Sequence, residues 1–206
     1  MKLTKLDSKF LEYLIENQIA PGDRLPSISK ISSELGISPG KLREQLEVAR
    51  HMGLVSARPR LGMRREPFDF LQLVLAGILF SLEIGEASFA QISQLRVAIE
   101  TQLWHDAVTH LTAADKDELQ ALIAQAWDKL RGEPIHIPNH EHRQLHLKLF
   151  SRIDNPFVKG LLEAYWEAYE ASELTRFATY NYWLKVCRKP ERCFKVLTNR
   201  QDIARQ

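Results

Sequence analysis

Apolar residues recur at helical spacing through most of the chain, and short polar or glycine-bearing breaks separate the runs. Phe10, Leu11, Leu14 and Ile15 predict a first helix, with Asp7 or Ser8 as its cap. Ala20-Pro21-Gly22-Asp23 reads as a turn. A second helix is expected from about Ser27 to Leu35, capped by Ser27 and stopped by Gly36. A third opens at Ser38-Pro39, a capping serine followed by proline at the first helical position, and runs past Leu42 and Leu46 to His51 before Gly53 ends it. Leu54-Val55-Ser56-Ala57 is the one convincing strand signal in this half, followed by an Arg/Pro/Gly-bearing turn to Met63. Three short helices followed by a hairpin-like segment predict a winged helix-turn-helix.

Arg64-Arg65-Glu66-Pro67 reads as a linker, because proline disfavours the helical conformation of the residue before it. The domains expected are thus 1–66 and 67–206. Beyond the linker the strand signals vanish. Leu71 to Leu82 is the most apolar stretch, too short to span a bilayer, and reads as a buried helix. Thr112 and Asp115 form a capping box ahead of an apolar face at Leu119, Leu122, Ile123, Ala126 and Leu130, and Gly132 with Pro134 stops that helix. Asp154-Asn155-Pro156 separates two later helices, with Asn155 suited to a left-handed cap and Pro156 to a helix start. The fold class expected is mainly α: an N-terminal winged helix-turn-helix plus a C-terminal all-α helical bundle.

With 45% hydrophobic and 26% charged residues, the 206-residue chain has globular composition and enough length for two cores. The net charge of +2 is unevenly spread. Residues 1–68 carry 12 Lys/Arg against 8 Asp/Glu, whereas the rest carries 16 against 18, which suits a DNA-binding head on a body that does not touch DNA. The end, Lys185 to Gln206, has seven Lys/Arg against two acids and reads as a solvated helix face. Cys187 and Cys193 match no zinc or redox spacing and read as free thiols. MKLTKLDSKF lacks the apolar core of a signal peptide, so a soluble cytoplasmic protein is expected, with no membrane partner. The aromatic residues Trp104, Trp127, Tyr165, Trp166, Tyr169, Tyr180, Tyr182 and Trp183 read as core and dimer interface rather than a ligand cage.

The run PGDRLPSISKISSELGISPGKLREQLEVARHMGLVSARPRLGM resembles the GntR family of bacterial regulators. The features that carry the resemblance are Pro21-Gly22, Leu25-Pro26-Ser27, Leu35-Gly36-Ile37-Ser38, Leu42-Arg43-Glu44, Gly53-Leu54-Val55 and Gly62. It implies a recognition helix that enters the major groove N-terminus first, with Ser38, Gly40, Lys41 and Arg43 on its leading turns and Arg43 as a DNA contact. Ser27 joins them at the start of the preceding helix. Arg58, Arg60 and Gly62 would form the wing that meets the minor groove or a phosphate. Outside that resemblance, Arg43 pairing with Glu47 on a solvated face is the simpler expectation. Ser29 and Pro39 stand where relatives often place basic residues, so the operator is not transferable from them.

From about Phe70 the chain resembles the effector-binding, dimerising FCD domain of FadR-type GntR regulators. The matching features are Leu95-Arg96 with Glu100, His142-Arg143-Gln144-Leu145-His146, Ser151 to Asn155, Glu191-Arg192 and Arg200-Gln201-Asp202. Many relatives hold a divalent metal with one Asp and three His. Here the first pair falls on His142 and His146, the next histidine on Arg192, and the last beyond Gln206, so the ligand set is incomplete and the chain is expected to end early. No cofactor is expected with certainty, and His142 and His146, with His136 and His140 nearby, are only weak metal candidates. Arg96 and Arg192, with His142 and His146, could instead hold an anionic effector without metal.

These readings lead to a homodimeric, sequence-specific transcription regulator, a repressor rather than an enzyme, that binds a double-stranded DNA operator and responds to a small carboxylate metabolite. One alternative is a constitutive DNA-binding protein that has lost effector sensing. A remoter one is a metal-dependent enzyme built on the His136–His146 cluster.

Overall fold

The computed structural model describes residues 6–172 together with residues 180, 183, 184 and 188. The chain divides into two compact units, Met1–Ala76 and Gly77–Gln206. Arg192, Cys187, Cys193, Tyr182 and the basic end of the chain, Arg188 apart, lie outside the described residues.

In the first unit, α1 (Lys9–Glu16), α2 (Ile28–Leu35) and α3 (Pro39–His51) pack around Phe10, Ile31, Leu42, Leu46 and Ala49. Their boundaries follow the caps. Ser8 Oγ accepts from Leu11 N at 3.3 Å, Ser27 Oγ from Lys30 N at 3.3 Å and Ser38 Oγ from Lys41 N at 3.2 Å. Gly36 turns α2 into α3 in the left-handed region at φ 60°, which a side chain would strain. Gln45 on α3 accepts from the Phe10 N–H at 2.9 Å, and the Tyr13 hydroxyl donates to Glu34 at 2.9 Å, so both outer helices are locked to the core.

The hairpin consists of β1 (Val55–Arg58) and β2 (Gly62–Arg65), antiparallel, with Val55 opposite Arg65 and Arg58 opposite Gly62. Arg64 and Arg65 are therefore sheet residues, not the linker that the sequence suggested. Their ladder partners, not their own propensity, decide it. The turn at residues 20–23 runs directly into a third edge on this sheet. Leu25 N–H donates to Met63 O at 2.9 Å, Arg65 N–H to Asp23 O at 3.0 Å and Gly22 N–H to Arg65 O at 2.7 Å.

Helix α4 (Phe70–Glu83) follows, and here the expectation of a buried helix fails: none of its residues is buried, and Phe80 is 65% exposed. Apolar content alone measures what a helix would gain by burial, not whether one copy of the chain supplies a cover. Among the described residues, no helix is long and apolar enough to cross a membrane.

The second unit holds α5 (Phe89–Thr109), α6 (Ala113–Arg131), α7 (Asn139–Leu149) and α8 (Pro156–Ala171), with α7 packed on both α6 and α8, and α5 on α8. Leu119, Leu145, Leu149 and Leu162 belong to its main core. The Thr112–Asp115 capping box forms as expected. Asn155 does not take a left-handed cap: at φ −143° it is the extended N-cap of α8, accepting from Phe157 N at 3.0 Å and Val158 N at 3.2 Å. A short side-chain acceptor immediately before a proline-led helix satisfies orphan amides that a C-terminal cap would leave open.

Candidate nucleic-acid interface and interior ligand site

The first two turns of α3, with its cap, gather Ser38, Gly40, Lys41 and Arg43, all exposed. With Pro39 at the helix start and Ser38 capping Lys41 N, the helix ends in a compact, positively polarised tip. A Cβ built on Gly40 would meet only Ser38 Oγ, at 3.9 Å, so the tip leaves room for a close approach. The two nearby cations differ. Lys41 Nζ lies 3.0 Å from Glu44, whereas Arg43 has no carboxylate partner among the described residues. Glu47 pairs with Arg50 at 2.7 Å, which overturns the expected Arg43–Glu47 pair. At i,i+3 the Arg50 side chain reaches Glu47 and leaves Arg43 pointing to solvent with its charge uncompensated.

Ser27 is exposed at the cap of α2. In the hairpin, Arg58 and Arg60 are exposed at the turn, and Arg60 itself sits at φ 66° with Gly62 at φ 79°. Arg24 was not singled out from sequence, yet the third strand edge brings it to this sheet opposite Arg64. Lying between the expected turn at residues 20–23 and the helix expected from Ser27, it carried no local signal of that pairing.

The second unit has a polar cluster in its interior, built by α5, α7 and α8. Glu100 Oε1 lies 2.8 Å from His146 Nδ1 and 3.7 Å from Arg96 Nη1. The Arg96 guanidinium sits 4.6 Å from the Tyr165 ring centre and 5.7 Å from that of Trp166. His142 meets His146, Trp166 and Trp183 edge-on, with ring centres 4.8, 5.0 and 5.5 Å apart. Burial pushes the His142 imidazole well below its ordinary value, and His146 and Arg96 push the same way, so the ring is neutral. Arg96 Nε and Nη1, Trp166 Nε1 and His142 Nδ1 are buried without a hydrogen-bond partner among the described residues. Such orphans are costly in a low dielectric unless something accepts from them. The structure thus brings three of the four expected effector residues together, and adds Glu100, Tyr165 and Trp166.

A metal does not fit this donor set. Among the described residues no three His, Cys, Asp or Glu side chains come together as metal ligands, and the Arg96 cation borders the two imidazoles. His136 and His140 are exposed.

Comparison with known proteins fits both units. Residues 7–64 match the model of the bacterial regulatory proteins of the gntR family, and residues 91–202 match the FCD domain. The HTH-type transcriptional regulator YieP of Escherichia coli (strain K12), itself uncharacterized, is 24% identical over 177 residues, covering 80% of this chain and 73% of its own length. The solved structure of a Streptococcus agalactiae GntR protein superposes with a TM-score of 0.52 at 15% identity, covering 96% of this chain and 97% of that one, and shares the fold. The FCD match alone takes in more than half of the chain and the gntR match supplies the head, so this protein belongs to the GntR family of DNA-binding transcription regulators that carry an FCD domain.

Proposed function

We propose that the chain acts as a homodimeric, cytoplasmic repressor, with residues 1–66 reading DNA and residues 67–206 dimerising and sensing a small carboxylate. The first turns of α3 enter the major groove, Arg43 contacts a guanine edge or phosphate, and Ser27, Ser38, Gly40 and Lys41 bring backbone and side-chain donors to the flanking phosphates. Arg58, Arg60 and Gly62 form the wing contact. The observation that carries this reading is the uncompensated Arg43 on the tip of α3, between cations that are already paired. Helix α4, with one charged residue and no buried one, supports a second copy as the cover of its apolar face.

The effector would be an organic acid held by Arg96 and the neutral His142, with the Trp166 indole as a further donor. His146 takes part through Glu100, and Arg192 belongs to the same proposed set. The unsatisfied interior donors support an acceptor-rich ligand.

Fluorescence anisotropy on duplex DNA from the region upstream of its own gene, at several salt concentrations, tests the DNA reading. Wild type should prefer that duplex over random DNA, and Arg43→Ala should weaken binding by roughly 5- to 150-fold, the range of one good bidentate contact. Equal affinity of the two proteins for the upstream duplex would overturn the assignment of Arg43.

A further inference from the structure

The wing sheet has two chemically different faces, and strand alternation sorts its residues between them. Arg64 is opposite both Ser56 and Arg24, and Gly62 is opposite Arg58, so Arg24, Ser56, Arg58, Gly62 and Arg64 share one face. Leu25, Val55 and Met63 belong to the core of the first unit. The outer face therefore carries three arginines, with Glu66, which accepts from the Ser56 hydroxyl, as the acid at its edge. Arg64 spends one guanidinium nitrogen on Gly22 O at 2.8 Å. Arg24 makes no hydrogen bond or ion pair among the described residues and is exposed.

Its position is nevertheless defined. A Cβ on Gly62 would lie 3.1 Å from Arg24 Nε, 3.3 Å from Nη2 and 3.6 Å from Cζ. The Nε/Nη2 edge of the guanidinium, rather than its face, meets the one residue of the wing that has no side chain to displace it. Gly62 thus has two uses: at φ 79° it turns the hairpin, and its bare Cα seats the arginine. An arginine seated in this way has already lost part of its side-chain freedom, so contact with an anion costs less ordering than for a lysine or arginine in open solvent.

From this geometry we infer that Arg24 is a DNA-backbone contact of the wing, its Nε/Nη2 edge seated against Gly62 and its Nη1 end left for a phosphate. The contact is to phosphate rather than to a base edge, because the guanidinium lies along the sheet face and not at the tip of the reading helix. Phosphate contacts set the register of the protein on the duplex without reading sequence. The inference rests on the DNA-reading function proposed above, but the two fail in different ways.

The test is anisotropy titration of wild type, Arg24→Gln and Arg24→Lys on the upstream duplex and on random duplex, across a salt series, with circular dichroism to show that the exposed substitutions leave the fold intact. For Arg24→Gln the slope of log affinity against log salt should drop by about one on both duplexes, with a weakening of roughly threefold to tenfold in each. Arg24→Lys keeps a charge but not the planar fork, so it should recover the slope and only part of the affinity. A merely structural role for Arg24 would lower affinity without changing the slope, and an unchanged slope in Arg24→Gln would overturn the inference. Failure of the specific-binding reading shows separately, as equal wild-type affinity for the two duplexes, and the salt slope on random DNA still reads the phosphate contact.

Discussion

His142 is a neutral imidazole within reach of a cation and a second imidazole, and that combination has a measurable consequence. The unfolded chain takes up a proton on this ring near a pH of about 6.5, whereas the folded unit resists it because of burial, His146 and Arg96. A base whose folded pKa is depressed adds stability above its unfolded pKa and loses it as pH falls toward the folded value. All four tryptophans, at positions 104, 127, 166 and 183, lie beyond Ala76, so their fluorescence reports the second unit alone. The thermal midpoint followed this way should fall between pH 7 and pH 5, with a contribution from this ring of at most about 1.4 kcal/mol per pH unit. His142→Gln should flatten that dependence. An identical pH profile in the variant would mean that other groups take up the proton. The same paired-against-free contrast separates Arg43 from Lys41: equal formal charges, but only Lys41 is already neutralised by a neighbouring acid.

At the scale of elements, the start of α6 is tied to α7 and the loop after it through one buried carboxylate. Asp115 is 1% exposed, and it accepts from Arg152 Nε at 2.8 Å and Arg152 Nη2 at 3.0 Å. Lys148 Nζ is 2.8 Å away, and Thr112 donates its N–H at 2.9 Å and its hydroxyl at 2.7 Å. Arg152 and Lys148, then Thr112, hold the Asp115 carboxyl far below the usual carboxylate range, and Lys148 and Arg152 are raised in return. A depressed acid gives stability above its unfolded pKa of about 3.9 and loses it as pH falls below that. Asp115→Asn should therefore melt several degrees lower than wild type at pH 7 by tryptophan fluorescence, and the gap should narrow below about pH 4. A gap that stays constant down to pH 3 would locate the effect in packing instead of charge.

The sequence revealed half of this element. Thr112 and Asp115 announce a capping box at fixed spacing, but Lys148 and Arg152 reach Asp115 from 33 and 37 residues away and leave no local signal. The wing divides the same way. Gly36, Ser38-Pro39 and Gly53 marked the helix ends because caps are local chemistry, whereas β2 and the edge at residues 22–25 exist through their partners. Arg24 was hidden for that reason. In the interior site, Arg96, His142, His146 and Glu100 were legible through family likeness, while the pairing of Glu100 with His146 and the approach of Tyr165 and Trp166 to Arg96 entered only when three helices came together.

For the whole molecule, a head that reads DNA and a body that binds an acid make a switch only if the acid distinguishes the DNA-bound state from the free one. The coupling must then be reciprocal: an acid that weakens operator binding by some factor is itself weakened by operator to the same degree, with about 5- to 150-fold as the usual span. Isothermal titration of a panel of mono- and dicarboxylic acids into the free protein, and again into the operator complex, measures both legs. The acid that binds should do so through Arg96, so Arg96→Gln should abolish its heat while leaving operator affinity near wild type, since the substitution lies outside the head. Equal heats and affinities for free and DNA-bound protein would give a regulator that occupies its operator whatever the metabolite level. Silence across the whole panel with a folded protein would instead assign the Arg96–Glu100–His146 cluster to holding α5 and α7 together, because Glu100, 3.7 Å from Arg96 and 2.8 Å from His146, links the two helices without any ligand.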